Sequence, residues 1–193
     1  MKKCTSLFLS FVLILLSLSA FAGCQKNSPD ATVKGFMEAV KTMDYEEIAK
    51  YCEDGASDSE LSSYEDEDAA FLTPVFKSLK YKIVSTETGD GFAAVTLEIT
   101  TIDVKDVITN LVGEFLMTAF SHLDDDDFDA DAYYAEQLEQ ALSKDDLELL
   151  TSTAVLDLIK TEDGRWLVTG LDDNDEFLDA ITGGLVSAFS SLF

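Results

Sequence analysis

The apolar positions of this chain change period as it proceeds. Behind Ser28 and Pro29, Val33, Phe36, Met37 and Val40 recur at helical spacing, predicting an amphipathic helix that starts at Ser28 with proline in its first turn. Asp44 opens a second, short helix with Tyr45, Ile48, Ala49 and Cys52 on one face. Residues 53–70 are acidic, serine-rich and weakly patterned, and read as a loop with one helical turn. Thr73 to Leu79 form another short helix. The period then drops to two. Tyr81 to Thr88 alternates loosely, and Gly89, Asp90 and Gly91 make a tight turn. Val95, Leu97 and Ile99 alternate with Thr96, Glu98 and Thr100 as a half-buried strand.

Asp103 caps a long helix. Its stripe of Val104, Val107, Ile108, Leu111, Val112, Phe115, Ala119 and Leu123 is wide enough to predict burial along most of its length. After an acidic loop at 124–131, Tyr134, Leu138, Ala141 and Leu142 mark a helix over roughly 132–143. Leu147 to Lys160 reads as a long strand, which Glu162, Asp163 and Gly164 turn into the strand Arg165 to Thr169. Phe177, Leu178, Ile181, Leu185, Phe189 and Leu192 predict a closing amphipathic helix that packs on the sheet, although Gly183 and Gly184 weaken it. It has no Lys or Arg to meet an anionic membrane. This order predicts an α+β fold: N-terminal helices packed on a curved antiparallel sheet of about four strands, with an inserted helical pair over about 103–143 and a C-terminal helix.

The start of the chain has a different pattern. Lys2 and Lys3 precede an apolar run, Leu7 to Ala20, broken only by serines, and then come Phe21, Ala22, Gly23 and Cys24. Charge, apolar run and small residues in that order match a secretory signal. The ending resembles the lipobox of bacterial lipoproteins, with Phe21 where leucine is usual. That resemblance implies that Cys24 is acylated and becomes the first mature residue, leaving the protein on the outer side of a bacterial membrane. A transmembrane helix needs about 20 apolar residues, more than this run supplies; an ordinary signal cut after Ala22 is the other reading. The expected organisation is a signal peptide at 1–23, a lipid-anchored tether at 24–30 and a single domain at 31–193.

The chain of 193 residues is 47% hydrophobic with 13 phenylalanines, enough for a core. It carries 13 Lys and Arg against 38 Asp and Glu, a net charge of −25, and Lys2 and Lys3 leave with the signal. So acidic a surface repels nucleic acid and anionic lipid, and leaves cations, basic proteins and neutral small molecules as partners. It also serves solubility. With Cys4 removed and Cys24 acylated, Cys52 is alone, so the mature fold depends on no disulfide within the chain. Glu53 and Asp54 beside it disfavour a reactive thiolate, and burial is expected.

Pro29, Val33, Phe36, Ala39, Val40, Asp44, Tyr45 and Ile48 resemble the opening of bacterial lipoproteins with a nuclear-transport-factor-2-like domain. Asp163, Gly164, Arg165, Trp166, Leu167 and Val168 are similar to the last hairpin of that cone-shaped fold. The resemblance covers the two ends of the mature domain; the helical pair and the terminal helix depart from the minimal cone. It implies that the helices pack in the mouth of the cone, where Phe36, Tyr45 and Trp166 would line a pocket. The superfamily holds isomerases, dehydratases and plain ligand binders, so the fold does not fix an activity.

Asp125, Asp127, Asp129, Asp131, Tyr133 and Glu136 fall at positions 1, 3, 5, 7, 9 and 12 of a loop spaced like an EF-hand, and calcium takes six to eight such oxygens. Ala130 replaces the turn glycine and Ala132 the usual aliphatic residue, departures that favour a solvated acidic loop capping the next helix over a calcium site. His122, the single histidine, lies within helical reach of Asp125 and Asp126, either as a general base or as a charged surface side chain. Zinc lacks the ligands for a closed site. Asp157, between Leu156 and Leu158, is the strand carboxylate that a cone-fold enzyme would need to bury, and alternation turns it away from its neighbours. Serine-hydrolase, Walker-type and dinucleotide motifs are absent. Together these features describe a lipid-anchored, non-catalytic ligand-binding or accessory module with no catalytic residues. An isomerase- or hydratase-type enzyme, and an acidic surface protein that binds calcium or a protein, are the alternatives. A deep apolar pocket with a buried carboxylate would favour the enzyme; a filled interior beside an exposed apolar patch would favour protein interaction.

Overall fold

The computed structural model describes residues 27–53, 71–122, 128–171 and 174–190. The described residues begin with α1 (Pro29–Thr42), α2 (Tyr45–Ala49) and α3 (Thr73–Ser78). Next come β1 (Lys80–Thr88), β2 (Phe92–Ile102), α4 (Val104–Ser121) and α5 (Ala130–Leu142). It closes with β3 (Leu149–Lys160), β4 (Trp166–Thr169), α6 (Asp175–Ile181) and α7 (Leu185–Ser190). This is the expected α+β arrangement: helices packed on a four-stranded antiparallel sheet in the order β1-β2-β3-β4.

Local chemistry sets the boundaries. Ser28 caps α1 by accepting from the Ala31 amide, so Pro29 and Asp30 are helical and not part of a tether. Asp44 caps α2 through the Glu47 amide, and Asp103 caps α4 through the Asp106 amide at 2.9 Å. The β3–β4 turn is held by the Thr161 hydroxyl and the Arg165 guanidinium, both donating to Asp163; together they hold its carboxyl at about 2, below the usual 3.8.

One face of the sheet is apolar. Ala93, Val95, Leu97 and Ile99 of β2 lie beside Ala154, Leu156 and Leu158 of β3, with registers such as Val95↔Leu156 and Leu97↔Ala154. Val33, Phe36, Met37 and Val40 of α1 and Phe177, Leu178 and Ile181 of α6 complete this core. Phe36 and Phe177, both fully buried, meet with ring centroids 5.8 Å apart.

Three expectations need correction. Cys52 is buried as expected, but α2 ends at Ala49, and Cys52 instead bridges Val168 in parallel on the outer edge of β4. The closing helix is two helices, because Gly183 and Gly184 adopt left-handed backbone (φ 66° and 82°). The Asp179 carboxylate holds the corner by accepting from the Ser187 amide and hydroxyl, each at 2.7 Å. Finally, of the stripe expected to be buried along α4, only Val104, Val107 and Ile108 are fully buried; Leu111, Val112 and Phe115 are partly buried, Ala119 is exposed, and Leu123 lies outside the described residues.

Candidate functional site

Among the described residues stand an apolar interior, a helical arm and surface clefts, two of which are described below. The interior is lined by apolar side chains. Its buried polar residues among those described are Thr32, Thr101 and Thr182, each bonded to a backbone carbonyl: Trp166 O at 3.2 Å, Val75 O at 2.7 Å and Leu178 O at 2.7 Å. Of the three residues expected to line a pocket, Phe36 is fully buried against Phe177. Tyr45 and Trp166 are partly buried at the margin of the same core. The Lys160 ammonium sits 5.6 Å from the Trp166 ring centroid. None of the three lines either of the two clefts.

The arm is the pair α4 and α5. Eighteen residues make α4 about 27 Å long, and only its first turns reach the core. Farther out it packs on α5. The Phe115 and Tyr134 rings are 4.7 Å apart, and the Tyr134 hydroxyl donates to Phe115 O at 3.1 Å. Gly113, Leu116, Met117 and Phe120 fall at i, i+3, i+4 and i+7, a second apolar stripe on the other side of the helix. Between Asn110 and Ser121 the one charge is Glu114. A helix that is apolar all round needs cover on both sides; here Leu116, Met117 and Phe120 are 55%, 72% and 68% exposed.

The first cleft, of about 640 Å³, runs between α1 and the edge strand β1. Asp30, Lys34, Glu38 and Lys41 line it from the helix, and Lys80, Tyr81, Lys82 and Ile83 from the strand. Tyr81 ties the two walls together, donating to Lys34 O at 3.4 Å. Burial, then the nearby Glu38 carboxylate, raises its hydroxyl above the ordinary tyrosine range. The second cleft, about 590 Å³, lies at the β1–β2 turn and is lined by Glu87, Phe92, Ala94, Asp157 and Thr169 among others. Asp157 is exposed there, opposite Ala94 and Thr169 in register, so it is no buried acid.

Of the acidic loop, Asp125 and Asp127 lie outside the described residues, as does the side chain of Asp131. Asp129 caps α5, accepting from the Ala132 amide at 3.0 Å, and Glu136 accepts from the Gln140 side-chain amide at 3.1 Å. Among the described residues no three His, Cys, Asp or Glu side chains gather to hold a metal ion. His122 closes the C-terminal end of α4 and stacks on Phe128, centroids 4.1 Å apart. Cys24 lies outside the described residues, and no described helix is long and apolar enough to cross a membrane.

Sequence reasoning misses the exposed stripe and the lysine-lined cleft. The first has a signal: residues 111–120 carry one charge, Glu114, and otherwise almost only apolar side chains. The second lies between α1 and the edge strand β1, which only the topology sets side by side. No family model, curated protein or solved structure matches the chain.

Proposed function

We propose that this chain is a lipoprotein of the bacterial cell surface, held by an acylated Cys24. Its non-catalytic accessory domain, of the nuclear-transport-factor-2-like kind, docks a protein partner through the arm. The observation that carries this reading is the uncovered stripe of Leu116, Met117 and Phe120 in a chain of net charge −25. Contiguous exposed apolar surface on an otherwise charged protein marks an interaction site.

A photo-crosslinking residue placed at Phe120 in growing cells is expected to give one discrete adduct. Leu116→Glu with Met117→Glu, both at exposed positions, should abolish it while leaving the thermal transition in place. Absence of any adduct, or an adduct indifferent to the two glutamates, would contradict a docking role for the arm.

A further inference from the structure

We propose that the outer face of α4 receives a basic amphipathic helix of a partner protein, with apolar residues along one side and Lys or Arg on its flanks. This names the chemistry of the partner and rests on the docking role proposed above. Shape is the first argument. Val104, Val107 and Ile108 of α4 face the core, and Phe115 faces Tyr134 of α5. On the other side Gly113, Leu116, Met117 and Phe120 recur at i, i+3, i+4 and i+7, the spacing by which one helix packs on another. The row covers about 10 Å of helix at 1.5 Å per residue. Gly113 has open space where a Cβ would stand, so a partner backbone can come close there. Nearer the core the same side turns polar: Lys105, Asp106, Thr109 and Asn110 are exposed, and the Asn110 side-chain amide donates to Asp106 at 2.9 Å.

Charge is the second argument. After Lys105 the chain has no Lys or Arg until Lys144, and the arm between them is acidic. Glu114 is exposed one turn before Met117, and Asp129, Glu136 and Glu139 are exposed on and beside α5. A second copy would bring the same acids and a further net charge of −25 against this face, and like charges set side by side cost affinity. A strip about 10 Å long and one helix wide is also far smaller than the roughly 800 Å² that each side of a stable interface buries. An anionic membrane is repelled in the same way, and helices that lie on such membranes carry Lys and Arg on their polar face. A basic helix answers both features. Its apolar side covers Leu116, Met117 and Phe120, and its flanking cations meet Glu114 and the carboxylates of α5. On so small a contact, charge supplies steering and selectivity that apolar area alone does not.

The test uses the full chain in neutral detergent and three synthetic peptides. One is helical, with leucines at i, i+3, i+4 and i+7 and lysines elsewhere; its twin has glutamate for every lysine; the third keeps the lysine composition with the leucines scattered. Calorimetry reads affinity, and hydrogen exchange reads the place. The lysine peptide is expected to bind at least about tenfold tighter than the other two and to slow exchange over residues 109–121. Its binding should weaken several-fold as salt rises from about 0.05 to about 0.5 M. Leu116→Glu with Met117→Glu adds charge that a purely ionic contact would welcome, yet it should weaken the lysine peptide about tenfold or more. Glu114→Lys with Glu139→Lys leaves the apolar row intact and should turn the preference toward the glutamate peptide. Preference of the wild type for the glutamate or scattered peptide, slowing confined to other elements, or unchanged affinity in the two-glutamate variant overturns the proposal. So does slowing over 109–121 in phosphatidylglycerol vesicles without peptide, which assigns the face to lipid, or self-association that the two glutamates abolish, which assigns it to a second copy. The two claims fail separately. No adduct at Phe120 in cells contradicts the docking role itself, whereas an adduct on an acidic or uncharged segment leaves docking in place and overturns the basic helix.

Discussion

Gly183→Ala is expected to cost at least about 3 kcal/mol of folding free energy, through left-handed backbone strain and a steric clash together. A Cβ at position 183 would stand 2.0 Å from Ile102 O and 3.1 Å from the Val104 amide nitrogen. Both are backbone atoms that cannot swing aside. Gly183 is also the point where the α6–α7 corner meets the start of α4, its carbonyl accepting from the Lys105 amide at 3.1 Å. Moving the corner away would break that bond and open the core beneath Ile181 and Leu185. In a domain of this size the loss corresponds to a fall in Tm of about 6–12 °C, readable by circular dichroism. Gly113→Ala is the control. It is helical, with open space around its Cβ, and should instead stabilise by about 0.5–1 kcal/mol. Equal melting of both variants would show that the corner does not sit against Ile102.

Phe36→Ala is expected to cost about 3–5 kcal/mol, the usual range for deleting a buried aromatic ring. Phe36 is fully buried at the contact between α1 and α6, against an equally buried Phe177. Truncation empties the centre of the layer that fills the sheet's inner face, and the strands on the other side are too well registered to collapse into it. Phe36→Leu keeps most of the volume and should cost under about 1.5 kcal/mol. Denaturant unfolding of the three proteins separates these outcomes. A near-neutral Phe36→Ala would mean that the ring lines open space, as in a ligand pocket, and would revive the reading in which Phe36 faces a substrate.

Much of this fold is legible in the residues because local chemistry and burial agree. Ser28, Asp44 and Asp103 each look like caps and each accepts the amide that a cap should. The alternation through Val95, Leu97 and Ile99 is the buried face of β2, and Gly164 sits at positive φ in the turn its sequence announces. The failures share one cause. Periodicity tells which face of an element is apolar, but not whether anything covers it. The stripe from Val104 to Ala119 therefore has the pattern of a buried face, whereas full burial ends after Ile108, Leu111 and Val112 pack only partly on the core, and α5 covers part of the helix beyond that point. Cys52 fits a helical face, yet the helix stops three residues short of it and pairing with β4 takes over. The first cleft needs α1 beside the edge strand β1, a relation made by sheet and helix packing and invisible to any window along the chain.

The anchor at Cys24 is the most direct point of attack on the proposed function. The measurement is membrane fractionation of cells making the full chain, wild type or Cys24→Ala, with the mass of the mature N-terminal peptide. Acylation predicts that the wild type pellets with membranes and begins at a Cys24 carrying the mass of fatty acyl chains, while Cys24→Ala loses membrane attachment. A Cys24→Ala protein that stays on the membrane as firmly as the wild type, or a wild-type mature terminus without acyl mass, would contradict it.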